Sequence, residues 1–290
     1  MKLGTFEYRG RTAVGAVKGE GIVDLSAEDP AIPNEMTRLI AAGRPLLERI
    51  RTVLETATAV PLADVSLRAP ILRPPKILAI GLNYADHIEE SGMQRPEHQL
   101  WFNKQSTCVI GSGEPIAKPA VSDYLDYEAE VCVVIGKRCR HVPRERAGEV
   151  IFGFCVGNDV SVRDWQLRTP TMTIGKSFDT HGPIGPFIVT SDEIADPHAL
   201  DIRCWVNGEL RQNSNTRHLV FNCFDQIAHL TTAFTLEPGD ILFTGTPAGV
   251  GGAFKPPRFL RPGDSIRIEV EGLGVLENTV LAEVPQPVIG

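Results

Sequence analysis

Beyond residue 76 the chain breaks into short apolar runs separated by Gly, Pro, Asn and Asp: KILAIG, CVIGS, EAEVCVVIG, VIFGFCVGNDV, GPFIVT, IRCWVNGEL, DILFTGTP, SIRIEVEG and GVLENTVLAEV. Runs of this length, rich in β-branched residues and bounded by turn residues, predict strands. Their number predicts an α+β, mainly β architecture of sandwich or roll type with few helices. Asn207-Gly208 in WVNGELR supplies two positions able to take φ > 0 and predicts a two-residue hairpin. Pro-Gly-Asp occurs at 238–240 and 262–264, each time ahead of an apolar strand, which reads as turn chemistry and not as a domain repeat.

The first 65 residues read differently. KLGTFEY, TAVGAV and GIVDL predict short strands, and MTRLIAAGRPLLERIRTVLETA then spaces its apolar residues at helical intervals. Together they predict a small α/β unit. LRAPILRPPK concentrates Pro70, Pro74 and Pro75, a composition that marks a junction. The expected division is a small N-terminal α/β domain at 1–70 and a β-rich sandwich or roll domain at 71–290, with the junction near Pro74 and Pro75.

Composition narrows the function classes. Apolar residues are 42% and charged residues 22% of the 290, the balance of an ordinary globular protein. The net charge of -7 is spread along the chain without a block of Lys and Arg, so neither nucleic acid nor an anionic membrane is an expected partner. VCVVIG falls far short of the roughly 20 apolar residues of a membrane span. MKLGTFEYRGRT lacks the apolar run of a secretory leader, and the expected location is the cytoplasm. Cys108, Cys132, Cys139, Cys155, Cys204 and Cys223 form no CxxC pair and several sit inside apolar runs, so reduced, buried thiols are expected.

LDYEAEVCVVIGK, residues 125–137, is the stretch most in need of a chemical reason. In a strand, Asp126, Glu128 and Glu130 project to one face, and they repel one another unless something positive lies between them. Solvation or pairing with Lys and Arg would suffice for an exposed strand, but this one runs straight into the core, where an unpaired carboxylate is costly. Asp159, in GFCVGNDVSVRDWQ, adds a third candidate acid at the end of another apolar strand. Three such carboxylates suit a hard divalent ion such as Mg²⁺ or Mn²⁺.

Arg163 and Gln166 follow, then Lys176 in TIGKSFDTHGP. Cations near a metal can hold a substrate carboxylate and stabilise an enolate; ordinary salt bridges, such as Arg163 with Asp164, would account for each one singly. GLNYADHIEESG reads as a short helix with either Asn83 or Asp86 as N-cap, which sets His87 and Glu90 three apart on one face. A carboxylate beside an imidazole fixes its tautomer and raises its basicity, and Glu89 is the other possible partner if the segment is not helical. A polar helix bounded by Gly could close over a site as a lid. GTPAGVGG at 245–252 lacks the nucleotide-binding Gly patterns, although its amides and the Thr246 hydroxyl could contact a carboxylate or carbonyl. With no GxSxG elbow, covalent serine catalysis has no support.

This constellation resembles the fumarylacetoacetate hydrolase superfamily. The matching segments are GLNYADHIEE, LDYEAEVCVVIGK, GNDVSVRDWQ, GKSFDTHGPIGP, PGDILFTGTPAGVG and RPGDSIRIEVEGLGVLENTV, which run in the family's order from about residue 76 to 281. The resemblance implies a mixed β-sandwich roll, a homodimer, and a divalent Mg²⁺ or Mn²⁺ held by Glu128, Glu130 and Asp159; Asp126 is no ligand in the family pattern. It further implies that Arg163, Gln166 and Thr246 contact substrate, that His87 and Glu90 activate water, and that Lys176 stabilises developing charge. Lys104-Gln105 departs from a frequent Lys-Pro, and only a local change of turn is expected from it. The implied reaction is hydrolytic carbon-carbon cleavage of a 2,4-diketo acid such as an acylpyruvate. The alternative is decarboxylation of a 2-oxo diacid such as oxaloacetate, or isomerisation of a hydroxymuconate-type catabolite, through the same metal-enolate chemistry.

Overall fold

The computed structural model describes residues 1–289. It is α+β and mainly β, built in three layers. The middle layer is a twelve-stranded mixed sheet whose centre is the strand Ala129–Ile135, paired antiparallel with Ile151–Asn158 on one side and Ile241–Phe243 on the other. Every residue of Ala129–Ile135 and of Ile151–Asn158 is buried. A strand covered on both faces needs apolar side chains at successive positions, which is why these segments read as unbroken apolar runs. Val131 and Val133 pack into one core and Cys132 and Val134 into the other, the alternation that a pleated strand imposes.

A five-stranded sheet covers the first of those faces, contributing Ile202, Cys204, Val206, Ile266, Ile268 and Val270. Its other face meets solvent, and Asp201–Val206 and Ser265–Val270 accordingly alternate buried with half-buried or exposed positions. The helix Met36–Thr56 covers the opposite face of the large sheet through Leu39, Ile40, Leu47 and Ile50, with a break at Gly43, whose φ is 67°. Lys2–Tyr8 pairs antiparallel with Gly182–Thr190, so the N-terminal strands continue the same twelve-stranded sheet.

The turn chemistry is as read. Asn207 and Gly208 have φ of 53° and 79° and close the hairpin in which Val206 faces Glu209. Gly239 and Gly263, the glycines of the two Pro-Gly-Asp turns, have φ of 87° and 95°. All six cysteines are free, and only Cys139 is less than fully buried.

Two local expectations are corrected. The acidic segment is not one strand: Leu125–Asp126 pairs with Ser161–Val162 in a separate two-stranded sheet, and the core strand begins only at Ala129. The Asp126 carboxylate is engaged by a distant loop instead, accepting hydrogen bonds from the Gly251 and Gly252 amides. The short helix spans Ala85–Ser91 with Tyr84 at its N-cap, and neither Asn83 nor Asp86 caps it. Asn83 is occupied elsewhere, donating to the carbonyls of Phe221 and Thr244 and accepting from the Phe221 amide.

Candidate active site

Antiparallel pairing assembles the acidic cluster. Ala129 lies opposite Asn158, which brings Glu130, and Glu128 just ahead of the strand, beside Asp159 just past the end of the next. The join is fixed by the Asp159 amide donating to the Glu128 carbonyl at 2.9 Å and by the Glu128 amide donating to Asn158 Oδ1 at 3.0 Å. One carboxylate oxygen from each of Glu128, Glu130 and Asp159 lies within 4.8 Å of the other two, and all three residues are buried.

The two glutamates have opposite electrostatic surroundings. Burial pushes the Glu128 carboxyl up, but Lys176 at 2.7 Å and Arg163 at 2.5 Å outweigh it and hold the carboxyl at about 2. Glu130 forms no ion pair among the described residues: burial and then the charges of Asp159 and Glu128 raise it well above the usual range, against a hydrogen bond from the Gly245 amide at 2.6 Å and the charge of Lys176. A buried carboxylate without an ion-pair partner, facing two more carboxylates, has the donor chemistry that a hard divalent ion satisfies. Gly245 must be glycine for this contact, since its φ is 108° and an added Cβ would stand 2.8 Å from the Cβ of Asn83.

The cations are themselves tied down. Lys176 Nζ bridges Glu128 Oε2 and Asp159 Oδ2, each at 2.7 Å, and lies 4.9 Å from the centre of the Phe102 ring. Arg163 donates to Asp126 at 2.8 Å, to Glu128 at 2.5 Å and to Gln166 Oε1 at 3.0 Å. Asp126 thus stands outside the three-carboxylate cluster and orients Arg163.

On the short helix, His87 Nδ1 lies 3.2 Å from Glu90 Oε2; the partner is Glu90 and not Glu89. Glu90 Oε1 also accepts from the Gly249 amide at 2.8 Å, which ties the helix to the Gly-rich loop. Thr246, in that loop, accepts from Gln212 Nε2 at 2.8 Å. His87, Glu128, Glu130, Arg163, Gln166, Lys176 and Thr246 all line one cavity of about 240 Å³. Asp159 and Glu90 stand behind this lining, bonded to Lys176 and His87. Larger grooves lie elsewhere, one of about 600 Å³ across the five-stranded sheet at Trp205 and Arg267, but none gathers this set of ionisable groups.

Three further buried polar residues were not assigned such roles from sequence. Lys104, expected only to alter a turn, is buried with Nζ 2.6 Å from Asp159 Oδ1. Gln212 links the Ala129 amide to Thr246 and Pro247. His181 is fully buried, with Nε2 donating to the Ala117 carbonyl at 2.8 Å and Nδ1 without a partner among the described residues. Each carries the same faint signal, a polar side chain at a position where its strand or turn faces inward.

Burial pushes the His181 imidazole down to about 3 from its ordinary 6.5. The folded state therefore binds fewer protons than the unfolded state between those values. Its contribution to stability is complete above pH 6.5 and is lost as pH falls toward 3, at up to about 1.4 kcal/mol per pH unit. Urea unfolding at pH 7 and pH 5 is expected to show a smaller acid loss for His181→Gln than for the wild type.

Comparison with known proteins bears on the fold and the family. Residues 76–281 match the family model described as the fumarylacetoacetate (FAA) hydrolase C-terminal region. The chain is 44% identical over 265 residues to a mitochondrial oxaloacetate tautomerase of Rattus norvegicus, which covers 91% of this chain and 85% of the relative. A Sphingobium maleylpyruvate hydrolase solved with manganese(II) and pyruvate is 36% identical with a TM-score of 0.83, the match covering 97% of this chain and 99% of that one. A fumarylacetoacetate hydrolase of Exiguobacterium antarcticum is 34% identical with a TM-score of 0.87, covering 98% and 100%.

The relatives overturn the cytoplasmic expectation, since the rat protein is named as mitochondrial. The physical reason is plain: composition and hydropathy bear on membrane spans, and they do not distinguish one aqueous compartment from another. Among the described residues no helix is long and apolar enough to cross a membrane. The family match spans the acidic cluster, the short helix and the Gly-rich loop together, in a fold shared at high TM-score, and on that ground the chain belongs to the fumarylacetoacetate hydrolase family.

Proposed function

We propose that this chain interconverts the keto and enol forms of a small 2-oxo acid of the oxaloacetate type, using a divalent ion held by Glu128, Glu130 and Asp159. The observation that carries the reading is the opening of Glu128, Glu130, Lys176 and His87 onto one cavity, with Asp159 and Glu90 bonded directly behind them. When bound, Mg²⁺ or Mn²⁺ would supply electrophilic stabilisation of the 2-oxo oxygen as it gains enolate charge. His87, with Nδ1 held by Glu90, keeps Nε2 for proton transfer: it takes a proton from C3 of the keto form and returns it to the 2-oxo oxygen to give the enol, and the reverse transfer restores the keto form and the free imidazole. Lys176 and Arg163 supply the positive field that holds the substrate carboxylate and the developing oxyanion. Thr246 and Gln166 offer hydrogen bonds at the same wall. The 44% identity to a protein named oxaloacetate tautomerase supports the substrate class.

Hydrolysis of an acylpyruvate is the second reading, favoured by the His87–Glu90 pair as a means of deprotonating water and by the similarity to a maleylpyruvate hydrolase. Product accounting separates the two. Metal-stripped protein would be given Mg²⁺ or Mn²⁺ with enol-oxaloacetate, followed by ultraviolet absorbance, and separately with acetylpyruvate, followed by pyruvate and acetate release. Metal-dependent loss of the enol signal without carbon-carbon cleavage is expected. His87→Ala should slow it by about 10²- to 10⁴-fold, the usual worth of a positioned acid-base group. Release of pyruvate and acetate, with no effect on the enol, would sink the tautomerase reading in favour of hydrolysis.

A further inference from the structure

Resting on the reading of Glu128, Glu130 and Asp159 as a divalent-cation site, we propose that Lys104 is a positioning residue that fixes the Asp159 carboxylate and the Lys176 backbone relative to each other. Lys104 ends the edge strand Leu100–Lys104, which pairs only with Ile77–Gly81 within the large sheet. An exposed lysine is the usual way to end an edge strand; this one has a side chain with no exposed surface. Its ammonium meets three acceptors: Asp159 Oδ1 at 2.6 Å, the Val160 carbonyl at 3.3 Å and the Lys176 carbonyl. An ammonium has three donors, and here each has an acceptor, so its position is fully determined.

The consequence falls on Asp159. With Oδ1 held by Lys104, Oδ2 is left to meet Lys176 Nζ, the ammonium that also holds Glu128 Oε2. Mg²⁺ and Mn²⁺ sites are demanding in oxygen geometry, and groups that orient a ligand commonly change metal affinity or activity by about 10- to 100-fold when removed. Simple charge repulsion acts with the opposite sign. Removing a cation beside a divalent site would tighten metal binding, so the direction of the change separates positioning from electrostatics alone.

The test is a Mn²⁺ titration, followed by the electron paramagnetic resonance of the free ion, on wild type, Lys104→Met, Lys104→Gln and Phe6→Leu. Lys104→Met is expected to raise the Mn²⁺ Kd by about 10- to 100-fold. Lys104→Gln, which keeps a neutral donor for Asp159 Oδ1, should fall between it and the wild type. Phe6→Leu, in a separate apolar cluster with Ala13, Ile22 and Phe187, lowers stability without touching this network and should leave the Kd unchanged. A Kd in Lys104→Met equal to or below that of the wild type overturns the proposal. Should only Lys104→Gln fold, a wild-type Kd in that variant does the same. Wild-type protein that binds no Mn²⁺ overturns the cation-site reading itself, a failure distinct from one confined to the variants.

Discussion

Lys176→Met is expected to lower turnover by about 10³-fold at saturating metal and to destabilise the metal-free protein by roughly 3 kcal/mol. Lys176 lies 2.7 Å from both Glu128 and Asp159 and its side chain is almost wholly buried. Burial works against its charge, but Asp159 and then Glu128 outweigh that and raise the ammonium above its ordinary range. Methionine keeps the stem that lies along Phe102 and deletes the charge, so Glu128 Oε2 and Asp159 Oδ2 lose the cation they share while Arg163 and Lys104 still hold the other oxygens. Removing one member of a buried ionic network is among the few single changes that cost several kcal/mol. A divalent ion replaces the missing positive charge, so added Mn²⁺ should recover a larger share of the urea midpoint in the variant than in the wild type. Turnover should stay low even then, because the ion cannot also supply the second positive centre. Wild-type turnover, or an unchanged metal-free midpoint, would contradict this account.

Asp126→Asn is expected to be comparably damaging to stability, at about 3 kcal/mol, although Asp126 is no member of the three-carboxylate cluster. Its carboxylate is fully buried and accepts from the Tyr127, Gly251 and Gly252 amides and from Arg163. An amide replaces one acceptor oxygen by a donor, which then faces either a backbone N–H or the guanidinium. Gly251 is closely packed, since a Cβ added there would lie 2.4 Å from the Arg258 carbonyl oxygen. Arg163 would keep Glu128 as its ion-pair partner but lose the group that orients it. Urea unfolding should show the loss in stability, and substrate KM should rise more than Mn²⁺ Kd. A variant as stable as the wild type would show that the amides at 251 and 252 find other acceptors.

Sequence by itself determined a good deal here, because much of this fold is local. The unbroken apolar runs at 129–135 and 151–158 mark strands covered on both faces, and the Asn207-Gly208 pair marks a hairpin, since its φ > 0 positions admit few other residues. The spacing of His87 and Glu90 fixes their contact as soon as the segment is helical. The acids at 128 and 130 announce a cluster because a strand entering a core cannot leave two carboxylates unpaired.

What only the tertiary structure decided is which charges meet across long separations. Asp126, Glu128 and Glu130 alternate alike in sequence, yet Asp126 is drawn off by amides 125 residues away while Glu130 is left with Gly245. Lys104 looks like an ordinary edge lysine until the 159 and 176 turns close over it. Gln212 joins three segments of which only its own is local. The pairing of Lys2–Tyr8 with Gly182–Thr190 is likewise invisible to periodicity, which reports that a strand has a buried face and never which strand lies beside it. Local pattern reflects the backbone's own geometry, whereas a buried ion pair depends on which distant turns the folded chain brings to the same few ångströms.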